Sequence, residues 1–455
     1  MGSGLPTVSS EARNGARRLP ISLRMKFYRE KRGSEVPGTE GIRLQGDGDI
    51  HPHRWRLLAL LSTAELLGMS LWFAASAVAP QLSALWKLDP AQTSWLTTIV
   101  QLGFVTGTAL TAALNLADIL PSRVLFASSA LAGAAANVAL LSAGGFHGAL
   151  ALRFLTGVCL AGVYPPAMKM IATWFRAQRG LAIGTVVGAL TIGKATPYLV
   201  HAIPGVGVRP VVLIASAGAV IAALLVAIGY REGPYPFAAR PFSWKLVSDV
   251  MRVREWRLAT GGYLGHMFEL YAFWTWIPAF LAASAAATAA GRPGSSVVSL
   301  IAFGTIAVGG AGCVWGGLTA DRIGRERLVT IALVASGSCC LLVGLLFGAS
   351  MWLLAPLALV WGFFVVADSA QFSALVTESV PAHAVGTALT IQTSIGFLLT
   401  MLPMQLVPAL ARNMGWRWSF SILALGPAAG IWAVRRLVQF RGPARSASPS
   451  IAGSP

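Results

Sequence analysis

The sequence predicts an all-α membrane protein with twelve transmembrane helices in two pseudo-symmetric six-helix bundles. Three observations predict it. The 455-residue chain has a mean hydropathy of +0.66 and only 11% charged residues, against about 25% in a soluble domain. Twelve apolar segments approach the roughly 20 residues that cross a bilayer. Landmarks of the first half recur in order in the second. Glu65 with Trp72 matches Glu269 with Trp276, Gly107 matches Gly310, and Asp118 matches Asp321. Gly157 matches Gly362, Gly180 matches Gly386, and Pro197 matches Pro403, all at offsets of 203 to 206.

Residues 1–53 are polar and charged and read as a disordered cytoplasmic tail, with Met25 an alternative start. No apolar signal-peptide core precedes the first span. The cluster Arg24, Lys26, Arg29, Lys31 and Arg32 gives the tail a route to anionic lipid. The spans are expected at 57–84, 93–114, 123–143, 148–171, 181–201 and 208–229, then 257–283, 295–317, 328–347, 351–374, 385–410 and 418–437. Hydrocarbon cannot satisfy open backbone groups, so such runs must be helices. A basic, proline-containing loop at 230–256 divides bundle 54–229 from bundle 257–438, and 439–455 is a second tail.

Net charge is +18, but the basic residues lie between spans and in tails, where they orient a membrane protein rather than bind nucleic acid. With the N-terminus cytoplasmic, cytoplasmic segments hold 27 Lys and Arg. The other side holds five: Lys87, Arg209, Arg292, Arg412 and Arg417. Both termini are therefore expected in the cytoplasm, with the protein in a bacterial-type inner membrane. Cys159, Cys313, Cys339 and Cys340 lie in apolar runs without metal-ligand spacing, so no metal site is expected.

The loop Gly317-Leu-Thr-Ala-Asp321-Arg322-Ile-Gly324-Arg325-Glu-Arg327 resembles the signature loop of the major facilitator superfamily. The first-half copy, Asn115-Leu-Ala-Asp118-Ile-Leu-Pro-Ser-Arg123, is degenerate and lacks the second glycine and first arginine. The resemblance implies a cytoplasmic gate at Asp118, Arg123, Gly317, Asp321, Arg322, Gly324 and Arg325. An Asp at a helix end can bind arginine and exposed N–H groups. Arg153-Phe-Leu-Thr-Gly157 is similar to the family's Arg-x-x-x-Gly element, whose arginine is linked to proton coupling. Trp174 to Gly184 looks like the loop of uptake porters for nitrate, cyanate-like and monocarboxylate anions. Spans 93–114 and 295–317 lack the arginines that clamp nitrate, and span five lacks the proline of drug antiporters after Gly188. Over 54–438 the resemblance implies a secondary transporter.

Ionisable groups at membrane depth cost several kcal/mol unless they face a cavity or a partner. His266, Glu269 and Phe273 share one helical face, and the His266–Glu269 pair is suited to carrying a proton. The alternative is a structural hydrogen-bonded pair. Glu65 takes the equivalent place in span one. Arg153 can pair a carboxylate, bind an anion or snorkel. Lys194, between Gly193 and Pro197 in an expected weak stretch of helix, needs a counter-charge or an anionic substrate unless it snorkels. Asp368 and Gln371 offer a polar face to the central path. Trp72, Tyr164, Tyr271, Trp274 and Trp276 are candidate cavity aromatics.

These residues support three functions. The first is proton-coupled symport of a small organic anion by alternating access. The second is efflux of hydrophobic or cationic compounds, and the third a membrane sensor on a carrier fold. No P-loop, His-Glu-x-x-His element or nucleophile elbow occurs, so no enzymatic role and no cofactor are expected. The expected partners are a small-molecule substrate, protons and membrane lipid, with the protein a monomer.

Overall fold

The computed structural model describes residues 51–114, 116–175, 178–235, 243–288, 294–381 and 383–442, without the side chains of Pro90, Ala117 and Asp118. The expected tails lie mostly outside the described residues, as does the middle of the expected central loop. Among the described residues the regular structure is helical, and the chain is an integral membrane protein.

The N-terminal half runs α1 (Arg54–Met69), α2 (Ala74–Ala77), α3 (Ala79–Trp86), α4 (Pro90–Ala113), α5 (Leu116–Ile119) and α6 (Ser122–Ala139). It continues with α7 (Phe146–Leu160), α8 (Tyr164–Ala172), α9 (Arg179–His201) and α10 (Val208–Gly229). The amphipathic α11 (Trp244–Arg252) follows, capped by the Ser243 hydroxyl, which accepts from the Leu246 N–H at 3.3 Å. The C-terminal half runs α12 (Arg254–Ala287), α13 (Ser295–Ala307), α14 (Gly309–Ile323), α15 (Arg325–Leu342), α16 (Met351–Ala367), α17 (Ser369–Ser379), α18 (Val385–Met414) and α19 (Leu425–Arg441).

Eleven helical stretches among the described residues are long and apolar enough to cross a membrane. They correspond to eleven of the twelve expected spans. The twelfth, 57–84, is broken: α1 stops at Met69 and the chain turns through Ser70–Phe73 before α2. Among the described residues four other spans contain milder joints, at 161–163, at Val308, at Asp368 and at 419–420. The expected weak point in span five is absent, since α9 is continuous through Gly193 and Pro197. Helix starts follow local chemistry. At α4, the Asp89 carboxylate accepts from the Gln92 N–H at 2.8 Å, and the Gln92 side chain accepts from the Asp89 N–H at 3.0 Å. Pro90 occupies the first turn, where its missing donor costs nothing.

Small residues set the helix contacts, because in lipid close van der Waals packing replaces the hydrophobic drive. A Cβ on Gly157 of α7 would stand 2.2 Å from the Val100 carbonyl oxygen of α4. At the repeat-equivalent Gly362 of α16 it would stand 1.7 Å from the Thr305 oxygen of α13. Between the halves, a Cβ on Gly188 of α9 would stand 2.8 Å from the Gly310 oxygen of α14. Across the other seam, Gln405 of α18 donates to Thr98 of α4 at 2.9 Å, and Ser94 and Gln101 of α4 meet the Met404 oxygen and sulfur. His201 meets Ser299 at 3.0 Å. These contacts lie in the half of the molecule away from the Gly317–Arg327 loop.

Gly157→Leu and Gly362→Leu are each expected to destabilise the protein by about 3 kcal/mol, because a backbone carbonyl cannot yield as a side chain would. The melting midpoint of purified protein checks this; unchanged midpoints would mean the backbones are not in contact.

Candidate functional site

The break in the first span exposes backbone acceptors at membrane depth, where each must find a donor. Arg153 of α7 supplies them. Its Nη1 donates to the Leu71 oxygen at 3.0 Å, its Nη2 to the Trp72 oxygen, and its Nε to the Leu96 oxygen of α4 at 3.3 Å. Ser70 adds a bond to the Ala215 oxygen of α10 at 3.2 Å. The guanidinium is buried and its three nitrogens are all engaged. Arg153 therefore neither snorkels nor pairs a carboxylate. It holds the break that presents Trp72 and Phe73 to the interior.

Lys194 is placed by Gly193. A Cβ at 193 would stand 2.1 Å from the Leu66 oxygen, so α9 crosses α1 in backbone contact beside Glu65. The Lys194 ammonium donates to the Tyr271 hydroxyl at 2.5 Å. It also lies over three rings, 4.1 Å from the centroid of Trp72, 4.6 Å from Tyr271 and 4.9 Å from Trp274. Cation–π attraction reaches about 2 kcal/mol when the cation is desolvated. Phe104 and Phe397 extend the aromatic layer, with centroids 4.6 Å apart and Phe397 5.1 Å from Tyr271. The box is shared: Trp72 and Lys194 come from the N-terminal half, Tyr271 and Trp274 from α12.

Glu65 is fully buried, and neither carboxylate oxygen has a hydrogen-bond partner among the described residues. It interacts electrostatically with Lys194 and with Tyr164 of α8, without an ion-pair contact to either. Its repeat equivalent Glu269 is in the opposite situation. Glu269 accepts from Trp361 Nε1 at 2.6 Å, the Ser336 hydroxyl at 2.9 Å and Cys340 Sγ at 3.2 Å, all within the C-terminal half. One buried carboxylate has both oxygens bonded, and the other has neither bonded among the described residues.

The expected His266–Glu269 couple is not formed. His266 Nδ1 instead lies 2.9 Å from Asp368 Oδ1 at the joint between α16 and α17, and Nε2 lies 2.8 Å from the Ser369 hydroxyl. His266 and Glu269 are three positions apart, so the side chains leave the helix about 60° apart and reach different neighbours. Gln371 points to the signature loop rather than the central path: its oxygen accepts from Arg325 at 3.2 Å, and Arg325 pairs Glu378 at 2.7 Å. Arg441 joins Glu378 to Glu255 and Glu326. In that loop Asp321 and Arg322 are exposed, and Gly324 takes φ +92° to start α15. Gly317 faces the start of α9, where a Cβ would stand 3.5 Å from the Gly180 oxygen. Arg123 is exposed, and the Asp118 side chain lies outside the described residues.

Of the expected aromatics, Trp72, Tyr271 and Trp274 converge on Lys194. Tyr164 lies beside Phe104, with centroids 6.3 Å apart. Trp276 belongs to the next layer, bonded to the Met404 oxygen at 2.8 Å. Sequence reasoning missed Phe104, Phe397 and the first-span break. Its one clue to the break was an arginine inside span four, which implies buried acceptors nearby. The four cysteines are free and buried, and no metal-binding cluster occurs among the described residues.

Residues 60–402 match the sequence model of the Major Facilitator Superfamily. Two crystal structures of a bacterial homologue of the human lysosomal transporter Spinster share the fold. One is inward-facing and unoccupied, with a TM-score of 0.64; the other is inward-facing and occupied, with a TM-score of 0.65. Each is 16% identical, and each comparison covers 88% of this chain and 100% of that one. No curated protein matches the chain in sequence.

Arg153→Lys is expected to cost about 3 kcal/mol, since an ammonium cannot span three carbonyls and leaves buried acceptors unmet. A melting midpoint equal to wild type would show that the break does not depend on the guanidinium.

Proposed function

The chain belongs to the Major Facilitator Superfamily, and on that premise we propose that this transporter is a proton-coupled carrier of a small organic anion. Its two halves act as six-helix bundles that rock about the central site. Lys194 attracts the anion, and Glu65 carries the proton.

The observation that carries this reading is the unbonded Glu65 carboxylate beside the α1–α9 crossing that also positions Lys194. A buried charge is tolerable only when something compensates it. Every guanidinium nitrogen of Arg153 and both carboxylate oxygens of Glu269 are held by fixed hydrogen bonds, so each would have to give up a bond to take a moving ligand. Lys194 holds one hydrogen bond, on a flexible stem. An anion that draws the ammonium toward itself leaves Glu65 without that stabilising field, and a proton then neutralises the carboxylate. One negative charge and one proton travel together, which is symport. The charge bias of the loops supports an inner-membrane protein with both termini cytoplasmic.

One observation favours a second reading, export of a hydrophobic cation. The Trp72–Tyr271–Trp274 box suits an ammonium group. Lys194 fills it, so a cationic substrate would compete with a tethered charge, and the anion reading is preferred.

Proteoliposomes test the proposal. An inwardly directed proton gradient is expected to accelerate uptake of organic acids. Glu65→Gln abolishes the acceleration, and Lys194→Ala raises KM by about tenfold or more, the loss of one charge-assisted contact. Glu269→Gln keeps the pH response. Uptake indifferent to the gradient, or a pH response that survives Glu65→Gln and vanishes in Glu269→Gln, overturns the assignment.

A further inference from the structure

The aromatic box around Lys194 is built across the two halves, and this gives it a second role. Trp72 sits at the break of the first span, while Tyr271 and Trp274 sit one turn apart on α12. The Lys194 ammonium contacts all three. The hydrogen bonds Gln405–Thr98 and His201–Ser299 close the two seams on the side of the box away from the signature loop. When the halves separate on that side, Trp72 must leave Tyr271 and Trp274, and the ammonium must give up its seat.

We propose that Lys194 is a removable latch: seated in the Trp72–Tyr271–Trp274 box it holds that face closed, and a negative charge on Glu65 withdraws it. The proposal rests on Glu65 as the proton site. The groups that set the field are few. Against Glu65 stand Lys194 on α9 and Tyr164 on α8; α10, also packed on α1, has no ionisable residue from Val211 to Gly229. Against Lys194 stand Tyr271 on α12 and Glu65. Tyr263 on α12 and Cys313 on α14 interact with Tyr164 or Tyr271 from further out, and Arg153 and Tyr198 influence each other electrostatically.

The sign follows. With Glu65 protonated and no anion bound, the ammonium stays on the rings, and the face stays shut. With Glu65 ionised, Coulomb attraction in a dry interior exceeds a cation–π contact. The lysine stem then turns toward α1 and the face is free to open. An empty, deprotonated carrier therefore presents its site to that side, and protonation closes it.

Spin labels at Leu85→Cys on α3 and Met414→Cys on α18 read the opening, since both positions are exposed on that face and in different halves. The four native cysteines are buried. In the full chain in lipid nanodiscs, a longer-distance population is expected to grow severalfold from about pH 5.5 to about pH 9. Glu65→Gln keeps the short distance at both pH values, which separates Glu65 from Cys313 or tyrosine titration. Lys194→Met enriches the long distance at both. Tyr271→Phe, which removes one hydrogen bond and keeps the ring, shifts the distribution partway. A wild-type distribution indifferent to pH, a response that survives Glu65→Gln, or Lys194→Met and Tyr271→Phe both matching wild type overturns the latch. Lost gradient-driven uptake with this distance response intact removes the transport reading and leaves the latch standing.

Discussion

A backbone carbonyl in hydrocarbon must be bonded, and Arg153 is where this protein meets that requirement. The first span gives up its helix over Ser70–Phe73, and the guanidinium of α7 takes the Leu71 and Trp72 oxygens while also holding Leu96 of α4. Three helical segments are thereby tied at one point. The break lets Trp72 turn inward, and without it the box around Lys194 would lose its N-terminal wall. Arg153 thus acts on the site through geometry, with its charge already spent on carbonyls.

The same accounting separates the remaining buried charges. Glu269 has three donors, and His266 has Asp368 and Ser369. Nearer the surface, partly exposed Arg325 pairs Glu378, and Arg441 pairs Glu255 and Glu326. Among the described residues Glu65 has no hydrogen-bond donor, and Lys194 has one phenol and three ring faces. Glu65 and Glu269 take matching places in the expected repeat, but their surroundings differ. α15 and α16 bring Ser336, Cys340 and Trp361 around Glu269. Among the described residues no donor reaches Glu65, whose helix packs on α8, α9 and α10. A group bonded on every side stabilises one arrangement. A group left unbonded can respond to a proton or to a change of state.

Hydropathy and spacing made most of the architecture legible, because a bilayer imposes one length and one kind of secondary structure on every crossing. Eleven spans appear where the apolar runs place them. The repeat was legible as well, and Gly157 and Gly362 turn out to touch equivalent carbonyls. Partners were harder to read. The i, i+3 spacing of His266 and Glu269 suggested a couple, but a tight bundle offers each side chain nearer groups on other helices. Gly193 and Pro197 read as a weakness in α9, whereas Gly193 serves the close approach of α1. The first-span break left no glycine or proline at positions 70–73 to betray it. Lys194 was recognisable as a charge needing company; that its company is aromatic depends on a contact between halves, which no local pattern encodes.

Infrared difference spectroscopy on the reconstituted protein addresses the central claim most directly, since a protonated carboxyl group and a carboxylate absorb at different frequencies. Titrating the protein is predicted to exchange a carboxyl band for a carboxylate band that is missing in Glu65→Gln and retained in Glu269→Gln. A band that stays in Glu65→Gln and disappears in Glu269→Gln would place the mobile proton inside the C-terminal half and contradict the account.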